Sequence, residues 1–416
     1  MKLTFLATGS RGDVQPFVAL AYGALQAGHA VRFVTNAVFA DWVRSYGLEV
    51  CPVDWEPAEG IRVQLALQGL RGRQWLAGIR RVAETSDRIY RQTQGQSLQA
   101  CQGAENLVYS FLAPWGLSIA EKLDVPSICG SLHPLTPTRQ FPMQLVVGNF
   151  GGMLNYASHQ AAVALLWLAM GSQTNRFRRE IGLPALRSPR SFQELVCPQQ
   201  APLLCNLSPS VIPRPADWPD NIHLYGYWFL PPAPSWQPPA NLVDFILRDS
   251  PPVYVGFGSM IVRDPARLAD IVLRALRLAG LRAVLAAGWG ALAAVKPSEE
   301  LFLLQDIPHD WLFPHMAAVV HHGGAGTTSA GLKAGVPSVI VPFMQDQPFW
   351  GDRLHRLGVS PPPLPRRKLT AEALAERLIE ATRTPALRDR SRQLGSQIAA
   401  ERGIEQSIQV IEGYFR

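Results

Sequence analysis

Short apolar runs that end in glycine or a polar turn recur along the chain, each followed by a stretch whose apolar positions have helical spacing. Residues 2–7 form such a run, ending in Gly9-Ser10-Arg11-Gly12; Pro16 and a helical pattern to Gly28 follow. Ala30–Thr35 reads as a second strand and Asp41–Tyr46 as a short helix before Gly47. Strand, loop, helix, strand is the signature of a parallel sheet with helices on its faces. The strand pattern returns at Leu107–Phe111 and Ser127–Gly130, while 61–101 and 150–180 read as helical, rich in apolar residues and Arg. Within the second of these, Ala161–Met170 is an unbroken apolar run containing Trp167, which reads first as a buried core helix and second as the wall of a pocket.

Tyr225–Leu242 carries Pro231, Pro232, Pro234, Pro238 and Pro239 and reads as a connector between domains. Beyond it the pattern restarts. Pro252–Phe257, Leu281–Ala286, Leu301–Leu304, Ala317–Val320 and Ser338–Val341 are strands, with a helix at Pro265–Ala279 and a helical tail over Ala371–Phe415 broken near Pro385. The expected fold class is α/β, with two Rossmann-like, doubly wound domains facing across a cleft. The boundaries that follow are a first domain over 1–225, a Pro-rich linker over 226–243, a second domain over 244–395, and a C-terminal helix over 396–416 returning to the first domain.

Composition narrows the class. The chain has 416 residues and a net charge of +7, with a charged fraction of 17%, too low for a disordered or coiled-coil protein. Lys occurs only at positions 2, 122, 296, 333 and 368, so Arg carries nearly all of the 39 cations. No basic block has the aromatic interleaving of a nucleic-acid motif, and no nucleic-acid partner is expected. No apolar run reaches the ~18 residues of a membrane span, and the opening residues lack a secretory pattern, so a cytosolic enzyme is expected. The Arg-bearing segment 62–91 admits two readings, contact with a membrane surface or a solvated helix face. Five widely spaced cysteines without a CxxC suggest buried thiols rather than zinc ligands or disulfides.

The strongest chemical signal is Val319-Val320-His321-His322-Gly323-Gly324-Ala325-Gly326-Thr327-Thr328. A strand runs through glycines into a helix, whose free N–H groups and partial positive charge suit a diphosphate. The alternative is a tight turn that merely needs glycine. Gly256-Phe257-Gly258-Ser259 repeats the arrangement after another strand, and strand ends of a parallel sheet line up along one edge. Asp346-Gln347, after the next strand, sets a carboxylate beside an amide, a pair suited to vicinal sugar hydroxyls, or else a solvated loop. Asp13 lies where the first helix begins and reads first as its cap. His133, beside Pro134, is either structural or a lesser candidate for a proton relay or acceptor contact. Gly324 and Asp346 also imitate a dinucleotide fingerprint, although Ser329 stands where its third glycine belongs.

Together, Gly9-Ser10-Arg11-Gly12-Asp13, Gly256-Phe257-Gly258-Ser259-Met260, Ile307-Pro308-His309-Asp310-Trp311-Leu312, the His-Gly run and Asp346-Gln347-Pro348-Phe349-Trp350-Gly351 resemble family 1 inverting glycosyltransferases. The likeness is greatest to sterol glucosyltransferases and bacterial enzymes that glycosylate antibiotics. It implies the GT-B fold, with acceptor bound mainly by the first domain and nucleotide sugar by the second. His322 matches the histidine that contacts the donor diphosphate, and Gly324, Ala325, Gly326 and Thr327 its backbone and hydroxyl partners. Ser259 matches a phosphate-side serine, Ile307 and His309 lie by the nucleobase position, and Asp346 and Gln347 match the pair on the sugar hydroxyls. Asp13 matches the acidic residue standing where plant-type relatives have a catalytic His; Ser10, Arg11 and Gly12 beside it fall with the donor-binding set. Asp306 stands near the place of the Trp that stacks on uracil in plant-type relatives, and UDP is implied ahead of TDP.

The expected activity is transfer of glucose or a related hexose from a UDP-sugar to a hydroxyl of a small hydrophobic acceptor, sterol-like first and a polyketide or macrolide aglycone second. Asp13 is the expected general base. UDP-glucose serves as co-substrate, with no cofactor and no metal expected. From other classes come an NAD-dependent oxidoreductase using the Gly324–Asp346 region and a catalytically idle sugar-nucleotide-binding protein.

Overall fold

A computed structural model describes residues 1–55, 73–146, 148–233, 236–258, 264–286, 292, 295–304 and 307–416, with backbone only over 73–86. Ser259, Met260, Asp306 and much of the 62–91 segment lie outside the described residues.

The first domain is a seven-stranded parallel sheet in the order β3-β2-β1-β4-β5-β6-β7. Its strands are β1 Lys2–Leu6, β2 Ala30–Asn36, β3 Glu49–Val53, β4 Leu107–Ser110, β5 Ser127–Ser131, β6 Leu203–Asn206 and β7 Ile222–Gly226. They are short and apolar because both faces are covered; Phe5 pairs with Phe33 across β1 and β2, both buried. The covering helices are α1 Arg11–Gln26, α2 Ala40–Arg44, α3 Arg73–Ala100, α4 Trp115–Leu123, α5 Gly152–Glu180 and α6 Pro189–Gln193. β3, β6 and β7 are absent from the sequence reading. β3 is an edge strand containing Pro52, tolerated only because an edge residue need not donate to a neighbour.

The second domain is a five-stranded parallel sheet in the order β10-β9-β8-β11-β12. Its strands are β8 Val253–Gly256, β9 Ala283–Ala286, β10 Leu301–Leu304, β11 Val319–His321 and β12 Ser338–Ile340. Around it lie α7 Ala240–Leu247, α8 Pro265–Ala279, α9 His309–Leu312, α10 Ala325–Lys333, α11 Gln347–Arg356 and α12 Ala371–Arg383, followed by α13 Pro385–Ala399 and α14 Gly403–Phe415. In each sheet the chain winds outward in both directions from a central pair, β1/β4 in the first and β8/β11 in the second. The loops leaving the carboxyl ends of those pairs open into a crevice.

Three expectations need correction. The Pro-dense connector is shorter than Tyr225–Leu242: Tyr225 and Gly226 complete β7, and α7 begins at Ala240, immediately after Pro239, which as N-cap leaves no helical N–H unmade. The helical tail has a second break at 400–402, between α13 and α14. The apolar run Ala161–Met170 is not core, since Leu165 and Leu168 are 65% and 77% exposed.

The C-terminal helices cross back to the first domain. A Cβ on Gly403 would stand 2.6 Å from the Gly226 carbonyl oxygen, so only glycine lets α14 approach β7 this closely. Ile404 packs into the space left by Gly23 on α1, and the Trp228 indole N–H donates to Ser407 Oγ at 3.1 Å. Glu401 accepts hydrogen bonds from the Ser208 and Ser210 hydroxyls at 2.6 and 2.9 Å, and Arg353 donates to the Val211 carbonyl at 2.6 Å. All five cysteines are free thiols, four of them buried. No helix of the described residues is long and apolar enough to cross a membrane.

Candidate active site

On the first domain's side of the cleft, Asp13 occupies the first turn of α1, behind the N-cap residue Ser10. The Ser10 backbone N–H and hydroxyl both donate to Asp13 Oδ2, at 2.8 and 2.7 Å. Gly9 makes this possible: its φ is +137°, and a Cβ there would lie 2.8 Å from the Asp13 side chain. Burial raises the Asp13 carboxyl above the usual carboxylate range; the Ser10 bonds and His133 pull it down, and Asp346 pushes it up. The capping role expected of Asp13 is therefore real, yet the carboxylate is also buried, facing His133 of its own domain and Asp346 from across the cleft. Arg11 lays its guanidinium over Trp42, 4.9 Å from the ring centroid.

On the opposite side, β11 delivers His321 and His322 into the glycine turn, and α10 starts at Ala325. The first N–H in α10 to find a carbonyl is that of Thr328, bonded to Gly324 at 2.9 Å, so those of Ala325, Gly326 and Thr327 have no helical acceptor. The turn is crowded on purpose. A Cβ on Gly324 would sit 2.4 Å from His322 Nε2, one on Gly323 (φ +92°) 2.9 Å from Ile340 Cγ2, and one on Gly258 3.1 Å from His322 Cε1. The glycine turns after β8 and β11 thus enclose one imidazole. Burial lowers His322 to about 4, against the opposing pull of Asp346, so the ring is neutral near pH 7. His321 is fully buried, also lowered by burial, and its Nδ1 accepts the Gly323 N–H at 3.1 Å. Across the cleft, a Cβ on Gly326 would come within 4.0 Å of Gly12 Cα, so the N-termini of α1 and α10 meet there.

Asp346 precedes α11 and faces the first domain. Its Oδ2 accepts the Trp350 indole N–H at 2.8 Å and stands 3.6 Å from His133 Nδ1. His133 leaves β5 through Ser131, whose hydroxyl donates to the His133 carbonyl at 2.7 Å, and it meets the Phe111 ring edge-on. The structure therefore brings Asp13, His133, His322 and Asp346 together from one helix start and three loops of two domains. Gln347 is placed differently from Asp346. It is buried, and its Oε1 accepts the Phe343 and Met344 backbone N–H groups at 2.7 and 3.0 Å, closing the loop in which Gln345 adopts φ +56°. Ile307 and His309 lie after β10, where His309 stacks on Phe313 with centroids 4.3 Å apart and meets Tyr254 edge-on. Sequence reasoning missed Trp350 as the group that orients Asp346; the i, i+4 spacing at the start of a helix was the available signal. It also missed Trp42 beneath Arg11, which nothing local to either residue reveals.

Residues 3–142 match the glycosyltransferase family 28 N-terminal domain, and 292–410 match the C-terminal domain of the erythromycin biosynthesis protein CIII-like family. The first domain is thus similar to a glycosyltransferase N-terminal domain and the second to a C-terminal domain of that erythromycin-biosynthesis type. Sterol 3-beta-glucosyltransferases of Neosartorya fischeri and Neurospora crassa are 37% identical over 99% of this chain, which spans 29% and 27% of their lengths. The glycotransferase of kitacinnamycin superposes with a TM-score of 0.73 at 19% identity, covering 100% of this chain and 99% of that one. The calicheamicin glycosyltransferase gives 0.70 at 18%, covering 99% and 98%. VinC, solved in complex with dTDP, gives 0.67 at 19%, covering 100% and 99%. These likenesses make the fold GT-B.

Proposed function

We propose that the glycosyltransferase domains move glucose from UDP-glucose to the hydroxyl of a sterol-like lipid with inversion at the anomeric carbon. The observation that carries this reading is the meeting of the N-termini of α1 and α10 across the interdomain cleft, which sets the buried Asp13 carboxylate on one side and the glycine-enclosed His322 on the other, both facing Asp346. The curated relatives named above, similar to nearly the whole chain, are sterol 3-beta-glucosyltransferases and point to the same acceptor.

An acceptor hydroxyl loses its proton far above pH 7, so attack needs a base in place. Asp13 takes that proton as the bond to the sugar carbon forms, and its raised affinity for protons makes it a better base than an ordinary carboxylate. His133 and Ser10 hold the negative form where it is needed. As the bond to the diphosphate breaks, charge grows on the departing oxygens. The free N–H groups of Ala325, Gly326 and Thr327 and the neutral His322 donate to it there, with no metal called on. Ser259 joins the same phosphate set by its place in the sequence. Asp346, fixed by Trp350, accepts from hydroxyls of the sugar, while Gln347 shapes the loop that carries it. Ile307 and His309 border the base.

A second reading, a TDP-sugar and a polyketide aglycone, is favoured by the dTDP-bound neighbour VinC. The deciding test incubates the protein with UDP-glucose or TDP-glucose and either cholesterol or a macrolide aglycone. UDP release that requires cholesterol supports the first reading. Turnover that requires TDP-glucose and the macrolide replaces it with the second.

A further inference from the structure

We propose that the N-terminal two thirds of α5, with the loop before it, docks onto a lipid bilayer surface containing anionic headgroups. The helix is patterned inside out. Its inward positions Asn155 and His159 are polar and 1% exposed, while Met153, Leu154, Leu165 and Leu168 are 82%, 63%, 65% and 77% exposed. Residues 153–169 run about 25 Å at the rise of an α-helix, long enough to lie along a membrane surface.

The inward polar residues have a stated job. Asn155 accepts the Phe150 backbone N–H at 3.1 Å and donates to the Arg139 carbonyl at 3.0 Å, and His159 Nε2 bonds the Phe141 carbonyl at 3.1 Å. These bonds tie the 139–150 loop to α5, so exposed Leu145 and Phe150 of the loop join the exposed side chains of the helix. Burying both polar side chains inward leaves the apolar ones facing solvent, an arrangement a monomer in water gains nothing from.

Charge selects the occupant. Residues 125–179 contain no Asp or Glu, although the chain has 32, and Glu180 is the one carboxylate before Glu194. Arg179, Arg187 and Arg190 are exposed, and Arg190 belongs to α6, whose Phe192 ring meets Trp167 of α5 at 5.9 Å. Arg139, also exposed, has Asp217 beside it. An apolar strip fringed by cations and nearly free of carboxylates complements apolar chains beneath anionic headgroups. A second copy packing the same face on itself would set cation against cation. Phe141 of the loop touches Phe349 next to Asp346's partner Trp350, with centroids 6.1 Å apart, so the docking face adjoins the cleft.

The test is flotation of the purified chain with phosphatidylcholine vesicles, with and without phosphatidylglycerol. No turnover is read, so its failure is separate from failure of the transferase reading. Binding to mixed vesicles is expected to fall at least tenfold in the double variant Leu165→Asp/Leu168→Asp and to persist in Leu278→Asp, a similarly exposed leucine on α8. Arg187→Glu/Arg190→Glu is expected to weaken binding to mixed vesicles and leave pure phosphatidylcholine unchanged. A wild type that does not float, or floats equally well in every variant, overturns the proposal. So does a dimer in vesicle-free solution that the double Asp variant dissociates, since that makes the face a self-association surface.

Discussion

Replacing Asp13 with asparagine separates two jobs that the wild-type carboxylate performs together. The amide oxygen can still accept the Ser10 N–H and hydroxyl, now made at 2.8 and 2.7 Å, so the start of α1 keeps its cap. It cannot take a proton from an attacking hydroxyl. A positioned general base contributes roughly 10²–10⁴ in rate, or about 3–5 kcal/mol of barrier. The expected result is that much loss of kcat in glucose transfer from UDP-glucose, with UDP affinity by calorimetry changed less than about threefold. Stability should move the other way from an ordinary lost ion pair. The folded-state pKa of Asp13 is raised, so its ionised form costs stability at every pH above the folded value, and that cost fades as pH falls toward the unfolded 3.8. Asp13→Asn should therefore melt at or slightly above the wild type near pH 7 and lose that advantage in acid. In the wild type, the acid limb of kcat/KM should lie above the range of an unperturbed carboxylate. Turnover within a few-fold of wild type in the Asn variant would refute the base assignment; lost turnover together with lost folding would show that the cap alone mattered.

His322→Ala should weaken UDP binding by about ten- to a hundredfold, the range for a hydrogen bond to a charged group, and wild-type affinity should owe nothing to His322 titration between pH 6 and 8, because that ring titrates near 4. Gly324→Ala should reproduce much of that loss with His322 still present, since its methyl would stand 2.4 Å from His322 Nε2 and force the ring to shift; calorimetry with UDP checks both. Trp350→Phe removes the N–H donor to Asp346 Oδ2 and should raise KM for UDP-glucose on the order of tenfold while sparing affinity for UDP alone, as steady-state kinetics would show. Gly403→Val presses a side chain against the Gly226 carbonyl and should cost about 1–3 kcal/mol in a urea titration with the active-site residues unaltered.

The repeated strand–glycine–helix units were legible because both faces of each parallel strand are buried, which leaves compact apolar runs such as Lys2–Leu6 and Val253–Gly256. The same reasoning lost β3, where Pro52 on an edge broke the pattern, and β6 and β7, four and five residues long, where His223 and Tyr225 are only partly buried. The site residues were individually visible as residues at strand ends. Their meeting was not: Asp346 stands 3.6 Å from His133 although the two are 213 positions apart, and only the packing of two domains brings them together. The apolar run in α5 failed for a different reason. Ala161–Met170 is apolar on every side, so it has no polar face from which burial could be read, and the buried positions of this part of the helix are the polar Asn155 and His159 that precede the run.

The most direct test of inverting transfer by this cleft is the anomeric configuration of the product, read from the proton coupling constant of glucosylated cholesterol made from α-linked UDP-glucose. Attack by an acceptor hydroxyl deprotonated at Asp13 predicts a β-glucoside. An α-glucoside, or consumption of UDP-glucose with no sterol product, would contradict it.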